Sequence, residues 1–209
     1  MRVSLSALAM IIIGGIAPPV EAAGTDCAKP VSASDHVICQ DKALLAQDKM
    51  MGALYASALK RDDADKIREK QQRWIAKVQS CGDASCIRLA DEDQVGFLLY
   101  AKGVASASTH FTSKRTDGNK SRLSIFGPVD GLVAVGLDSM YFGPDADAGD
   151  INSDSITGAV PLTKEHAELS RDKCRIGLNG LNAKTWRVSQ TGSCFFADGV
   201  TFRGIYRKH

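Results

Sequence analysis

Apolar residues recur at spacings of three and four in the first half of the chain, which predicts amphipathic helices packed face to face. The stripe of the first long helix consists of Leu44, Leu45, Met51, Leu54, Tyr55, Ala58 and Leu59. Asp62 or Asp63 can cap a second helix that ends near Cys81. The apolar face of that helix consists of Ile67, Trp74, Ile75 and Val78. A third helix can begin at Ser85, so residues 23–102 are predicted to form a small helical bundle.

The second half of the chain changes to a period of two, and its short β-rich runs predict strands. Turn signals lie at Gly127-Pro128, Asp130-Gly131, Gly143-Pro144, Asn179-Gly180 and Asp198-Gly199. The last two pairs are those that hairpins favour. Residues 122–209 are therefore predicted to form a small antiparallel β barrel or sandwich, and the Gly/Ser/Thr-rich segment 103–121 a linker. The predicted fold class is α+β, a disulfide-linked helical N-terminal domain followed by a β domain.

The first 22 residues have the pattern of a secretory signal peptide. Arg2 precedes a mostly apolar run from Leu5 to Ile16, and Pro18 and Pro19 follow that run. The run is shorter than the roughly 20 residues that a membrane-spanning helix needs. We therefore expect cleavage near Ala22, a periplasmic or secreted location, and no integral membrane segment in the mature chain.

Six cysteines in an exported chain predict three disulfide bonds. They are Cys27, Cys39, Cys81, Cys86, Cys174 and Cys194. If the two halves fold separately, the last two cysteines pair with each other and close a loop of about 21 residues. We expect the first two cysteines to pair with the third and fourth, with the choice of partner open. The sequence has no C-x-x-C spacing, and no metal site is expected.

Charge and motif content exclude several function classes. The chain has 26 Lys and Arg against 24 Asp and Glu, a net charge of +2, without the clustered basic face that nucleic-acid binding requires. It contains no nucleophile elbow, zinc-protease motif or Gly-rich phosphate loop. We expect His36 at a helix surface and His110 in the linker. The chain is therefore expected not to be an enzyme and to use no cofactor.

A set of positions in the helical half resembles the amino-terminal domain of the LprI family of exported lysozyme inhibitors. The matching residues are Cys27-Ala28-Lys29, Asp35, Ile38-Cys39, Leu44, Asp48, Tyr55, Gln72-Arg73-Trp74, Cys81 and Cys86-Ile87-Arg88. The resemblance spans residues 26–99 and implies a small disulfide-linked helical domain that inhibits lysozyme. Asp91 and Gln94 stand where Tyr and Arg are common in that family. The segment from Cys174 to Tyr206 looks like the β domain that sometimes follows this helical domain.

A dense acidic segment is the candidate partner-binding surface. It contains Asp145, Asp147, Asp150 and Asp154, with Asn152 between the last two. This alternation matches the start of a calcium loop, but Ser155 and Pro161 occupy the positions where that loop requires Gly and Glu. A solvated turn is the simpler interpretation. An exposed acidic loop can also steer a basic protein such as a lysozyme toward the surface.

Two residues on the helical stripes are expected to be structural. Trp74 falls on the apolar face of its helix, so we expect it in the core. Asp48 is a single carboxylate among apolar residues of the long helix. Because an unpaired buried charge is costly, we expect Asp48 to be bonded to Arg73 or to a helix amino end.

These patterns together predict an exported envelope protein that binds another macromolecule. By resemblance, the partner is a lysozyme or another peptidoglycan-cleaving enzyme whose cleft the protein occludes. Besides the acidic loop, the candidate protrusions are the turn Lys60 to Asp65 and the cysteine end around Gly82-Asp83. The alternative is a non-inhibitory periplasmic binding or scaffold module with a ligand site in the β domain, near Trp186 or Phe196.

Overall fold

The computed structural model describes residues 24–208, in which five α-helices precede eight β-strands. The helices are α1 (Ala33–Gln40), α2 (Lys42–Ala58), α3 (Ala64–Gln79), α4 (Ala84–Leu99) and α5 (Lys102–Ala107). The strands are β1 (Thr109–Lys114), β2 (Asn119–Val129), β3 (Leu132–Phe142), β4 (Ile151–Pro161), β5 (His166–Arg171), β6 (Cys174–Asn182), β7 (Thr185–Gly192) and β8 (Gly204–Lys208). The predicted α+β order is confirmed. The predicted signal peptide, residues 1–22, lies outside the described residues.

Each of the first four helices begins at a polar side chain that accepts backbone N–H groups of the first turn. These caps are Ser32 for α1, Asp41 for α2, Asp63 for α3 and Asp83 for α4. Such a cap stabilises a helix by about 1 kcal/mol. The predicted third helix is confirmed as α4, but it begins at Ala84 and is capped by Asp83, which accepts the backbone N–H of Ser85.

The segment 103–121, predicted to be a linker, contains most of α5, all of β1 and the start of β2. The Asp62 carboxylate accepts the backbone N–H groups of Lys102 and Gly103 at 3.0 and 2.9 Å, which fixes the start of α5. A Cβ added at Gly103 would lie 2.0 Å from the Ser57 carbonyl oxygen, so glycine permits α5 to contact α2. Tertiary contacts therefore override the linker-like composition.

All eight strands belong to one antiparallel sheet with the order β4-β3-β2-β1-β8-β7-β6-β5. Its two outer strands, β4 and β5, lie side by side. Arg171 Nη2 donates to the Ser155 carbonyl oxygen at 3.3 Å, and a Cβ added at Gly158 would lie 2.8 Å from Leu169 Cδ2. The sheet is therefore a nearly closed barrel.

The predicted turns were partly wrong. Asp130 and Gly131 connect β2 and β3 with φ values of 47° and 79°, which confirms the turn predicted at this pair. Asn179-Gly180 instead lies inside β6, where Asn179 pairs with His166 and Gly180 pairs with Trp186. Pairing on both sides keeps this turn-prone dipeptide extended. Asp198-Gly199 lies in the long loop before β8 and not in a two-residue hairpin.

Two apolar cores share strand β3, which explains why the helical and β regions contact each other. Val133 and Val135 point into the barrel, while Leu132 and Ala134 pack with the helices. The barrel interior is filled with Phe111, Leu123, Val133, Val135, Leu137, Ile156, Leu169, Ile176, Leu178, Val188, Phe202 and Tyr206. Both faces of β3 are thus buried, so its apolar run is continuous and does not alternate.

Three disulfides link residues that are close in sequence. Cys174–Cys194 is confirmed, with the cysteines 20 residues apart. The predicted cross pairing in the helical half is wrong, because Cys27 bonds Cys39 and Cys81 bonds Cys86. Cys39 lies in the last turn of α1 and not at the start of the long helix, so it faces the preceding segment. Three disulfides indicate folding in an oxidising environment.

Candidate functional site

Four loops meet at the end of the barrel where β3 ends and β4 begins. They are the loops 115–118, 143–150, 172–173 and 193–203. Three of them carry one acidic and one basic residue each, whereas 143–150 carries three aspartates and no basic residue, a net charge of −3. The acidic segment is thus the main charged feature of this end of the barrel.

The structure separates the acidic residues into two groups. Asp145 and Asp147 are exposed, next to or within the short 3-10 helix Ala146–Ala148. Asp150 and Asp154 are half-buried. Asp154 Oδ2 accepts the backbone N–H of Ala197 at 3.2 Å, which ties β4 to the loop 193–203. Across residues 24–208, no three His, Cys, Asp or Glu side chains are grouped as metal ligands would be.

The loop 193–203 is held in place along its length. Cys194 is joined to Cys174, and Asn119 bridges two points of the loop, donating to the Gly199 carbonyl at 3.1 Å and accepting from Thr201 N at 3.0 Å. Gly199 has φ +75°, and a Cβ there would lie 2.4 Å from the Tyr141 ring. The loop is therefore fixed by covalent, polar and ring contacts.

Phe195 projects from this fixed loop with 92% of its surface exposed. Its neighbour Cys194 is in the disulfide, and its other neighbour Phe196 packs edge-on against Phe202, with ring centroids 4.7 Å apart. Sequence reasoning missed Phe195. The sequence shows two adjacent aromatic residues beside a bonded cysteine, but the contact between Phe196 and Phe202 decides which ring is exposed.

A second feature is a cleft of about 720 Å³ between α4 and strands β4 and β5. Gly96 lets α4 approach β4, since a Cβ there would lie 3.0 Å from Thr157 Oγ1. Charged side chains around the cleft are Arg88, Asp91, Glu92, Asp93, Arg171 and Asp172. The cleft lies outside the barrel, whose interior is filled, and not beside Trp186 or Phe196 as the alternative hypothesis expects.

Asp91 is the most perturbed acid of the cleft. It is only 7% exposed, and its Oδ1 accepts a hydrogen bond from Trp74 Nε1 at 3.1 Å. Burial raises the pKa of Asp91 to about 7, and the nearby charges of Asp48 and Glu92 act in the same direction. Trp74 is 9% exposed, so its predicted core position is confirmed.

Asp48 is buried as expected, but its expected partners are wrong. Its Oδ2 accepts the backbone N–H of Thr25 at 2.6 Å. Arg73 pairs instead with Glu69 at 3.3 Å, one turn away on the exposed face of α3. Burial raises the pKa of the Asp48 carboxyl, while the hydrogen bond from Thr25 opposes that shift.

The two other candidate protrusions, the turn Lys60 to Asp65 and the cysteine end, contain aspartates that cap helices. In the turn from Lys60 to Asp65, Asp62 caps α5 and Asp63 caps α3, and in the cysteine end Asp83 caps α4. His110 lies in β1 and not in a linker, and its ring contacts the Ala105 carbonyl oxygen at 2.7 Å.

Tyr100 lies at the rim of the cleft. Its hydroxyl donates to Asp138, whose Oδ2 also accepts from Arg122 Nη2 at 3.1 Å. Burial, followed by the bond to Asp138, raises the pKa of Tyr100 to about 12. The hydroxyl therefore stays protonated and acts as a hydrogen-bond donor at neutral pH.

None of the helices described is long and apolar enough to cross a membrane. The fold and its surfaces define the class of the molecule as a disulfide-linked helical bundle packed on a nearly closed antiparallel barrel. Comparisons with family models, curated proteins and solved structures find no match to this chain.

Proposed function

We propose that the protein is an exported binding protein of the periplasm or extracellular space that inhibits a lysozyme or similar peptidoglycan-cleaving enzyme. The observation that carries the proposal is Phe195, an aromatic side chain 92% exposed on a loop held by a disulfide and by hydrogen bonds. Exposed aromatic residues on rigid supports are typical centres of protein interfaces. The four cysteines and Trp74 of the helical half supply the resemblance to the inhibitor family.

The acidic loop supplies the second element of this binding surface. Asp145 and Asp147 are exposed, and the loop 143–150 has a net charge of −3. The contact between Asp154 and Ala197 places β4, which follows that loop, against the loop that carries Phe195. A basic enzyme would be steered to this end of the barrel by charge and then held by the aromatic contact.

Inhibition of this kind needs no chemistry from the protein. A fixed protrusion enters the substrate cleft and excludes the polysaccharide, and its rigidity lowers the entropic cost of binding. Because substrate and inhibitor compete, the apparent KM for cell walls should rise with inhibitor concentration while kcat stays constant.

The test is lysis of cell walls by several lysozyme types in the presence of the oxidised mature protein. Replacing Phe195 with alanine should weaken inhibition about 30-fold, the effect of losing about 2 kcal/mol at an interface centre. Since Phe195 is exposed, F195A should fold like the parent. Leu89→Ala is the matched control, because Leu89 is also an exposed apolar residue, at 61%, but lies on α4.

Unchanged lysis at a large molar excess of the protein with every lysozyme type would reject the proposed inhibition. Equal inhibition by F195A and the parent would reject Phe195 as the centre of the interface. The double variant D145N/D147N tests the steering step, and it should slow association several-fold at low salt with little change in dissociation.

A further inference from the structure

The cleft between α4 and the outer strands of the barrel contains two acceptor oxygens that lack donors. Gln47 Oε1 is fully buried and has no hydrogen-bond partner within the described chain. Asp91 uses Oδ1 for Trp74, and no hydrogen bond to its Oδ2 is formed by residues 24–208. A buried acceptor such as Gln47 Oε1 is rarely left unpaired, because the lost hydration costs about 1–3 kcal/mol. Asp91 Oδ2 is not fully buried, so it stays open to a ligand in the cleft.

The unpaired charges of the cleft are mostly negative. Arg88 is paired with Asp41 at 2.7 Å, and Asp93 is paired with Lys77 at 2.9 Å. The charged cleft residues that form no ion pair within residues 24–208 are then Asp91, Glu92 and Asp172, which are acidic, and Arg171, which is basic. Arg171 donates to the Ser155 carbonyl oxygen. At pH 8, where Asp91 is mostly ionised, three negative charges against one positive charge leave the open part of the cleft with a net charge of about −2.

The cleft also has apolar walls next to these acceptors. They include Met51, Val95, Phe97, Val160 and Leu169. A ligand that fits all of these features carries N–H donors, a positive charge and an aliphatic chain. An alkylammonium group has each of these properties and has no acceptor to clash with the carboxylates.

We propose that this cleft binds an alkylammonium group, with the Asp91 carboxylate as its first hydrogen-bond acceptor and the Gln47 side chain turning to offer its amide oxygen as the second. The source can be a free diamine or a lysine side chain of another polypeptide, since both present the same group. The site is separate from Phe195 and from the acidic loop, so it does not depend on the proposed inhibition.

Proton binding at Asp91 competes with this cation. The charged groups that act on Asp91 are Asp48 on α2 and Glu92 on α4, and α3 contributes the uncharged Trp74. The other charged groups that line the cleft are Arg88, Asp93, Arg171 and Asp172. With the Asp91 pKa at about 7, the carboxylate is ionised in about nine-tenths of molecules at pH 8 and about one-tenth at pH 6. Affinity should therefore fall about tenfold between these two pH values.

The experiment is calorimetric titration of the oxidised mature protein with cadaverine and, separately, with Nα-acetyl-lysine methylamide. We expect one-to-one binding of at least one probe, tenfold tighter at pH 8 than at pH 6, with 1,5-pentanediol inactive as the neutral analogue. At pH 7 the enthalpy should depend on the buffer and correspond to release of about half a proton per ligand, because Asp91 is then half protonated.

Two cleft variants and one outside variant make the test specific. Asp91→Asn keeps an acceptor for Trp74 but removes the charge, so affinity at pH 8 should fall at least tenfold and proton release should disappear. Gln47→Leu removes the unpaired oxygen and should weaken binding several-fold without unfolding the protein. The double variant D145N/D147N removes two exposed acids elsewhere and should bind like the parent.

The proposal is overturned if neither probe binds at concentrations high enough to detect millimolar affinity. Equal binding by D91N and the parent also overturns it, because it would mean general attraction of cations. If D145N/D147N loses as much affinity as D91N, the conclusion is the same. A tighter complex with cadaverine identifies a free diamine as the source, and a tighter complex with the lysine derivative identifies a polypeptide.

Discussion

Replacing Asp91 with asparagine should remove most of the change in stability between pH 5 and pH 8. Asp91 is 7% exposed, and its burial raises the pKa of its carboxyl from 3.8 to about 7. The folded state therefore holds a proton that the unfolded state has already released in this range. The contribution of Asp91 to the free energy of unfolding is therefore fully present below about pH 4 and is lost as the pH rises to about 7.

The magnitude follows from the two pKa values. Each pH unit in which only the folded state is protonated lowers the free energy of unfolding by about 1.4 kcal/mol, or about 4 kcal/mol from pH 3.8 to pH 7. An asparagine at this position resembles the protonated acid and can still accept from Trp74. D91N should therefore match the parent near pH 4 and exceed it at pH 8 by up to about 4 kcal/mol.

Urea unfolding at pH 5, 6, 7 and 8 measures this difference directly. Asp48 has a pKa raised by burial too, so a slope of the same sign should persist in D91N. Asp117, whose pKa is lowered to about 2 by its bond to Arg115, acts only below this range. Asp145→Asn is the control for an exposed acid. Parallel pH curves for D91N and the parent would refute the reasoning that burial controls Asp91.

Three further changes test individual contacts. Gly103→Ala should lower the free energy of unfolding by about 2 kcal/mol in urea, because its Cβ would lie 2.0 Å from the Ser57 carbonyl oxygen; an unchanged midpoint contradicts this. Trp74→Phe removes the donor to Asp91 and should raise the pKa of that carboxyl above about 7, measured by NMR titration, and a lower value would oppose the assignment. The double variant C174S/C194S should lose about 3 kcal/mol in thermal unfolding and most of the inhibition, whereas full inhibition would show that rigidity of the loop is unimportant.

The helices were predictable because their signals are local. The stripe at Leu44, Leu54 and Tyr55 is buried in α2, and Asp63 caps α3 as its position suggests. Patterns of this kind need only the spacing of residues within one element. The Cys174–Cys194 bond was also predictable, because only two of the six cysteines lie in the β region.

The failures occur where contacts between distant segments decide the structure. Strand β1 has the polar sequence THFTSK and becomes a strand because it pairs with β2 and β8. Asn179-Gly180 stays extended inside β6 because it has paired neighbours on both sides. The pairing of the first four cysteines differs from the prediction because Cys39 lies in the separate helix α1, where it bonds Cys27. Local propensity is a weak guide in each case.

The candidate surfaces were predictable to different degrees. Exposure of Asp145 and Asp147 follows from their turn-rich sequence. The outward direction of Phe195 depends on the packing of Phe196 against Phe202, which is not visible in the sequence. Asp91 did carry a signal, because it lies four residues after Ile87 and four before Val95 on the buried face of α4.

The two proposed binding surfaces differ in how they affect the stability of the protein when no partner or ligand is bound. Phe195 is an exposed ring on a fixed loop, so it leaves the fold unaffected and contributes energy only when a partner covers it. Asp91 is the opposite, because above pH 7 its ionised carboxylate destabilises the folded protein by up to about 4 kcal/mol. A bound cation would offset that cost and should therefore raise the unfolding temperature at pH 8 more than at pH 6. If the same cation stabilises D91N equally at both pH values, its effect comes from the protein surface and not from binding at Asp91 in the cleft.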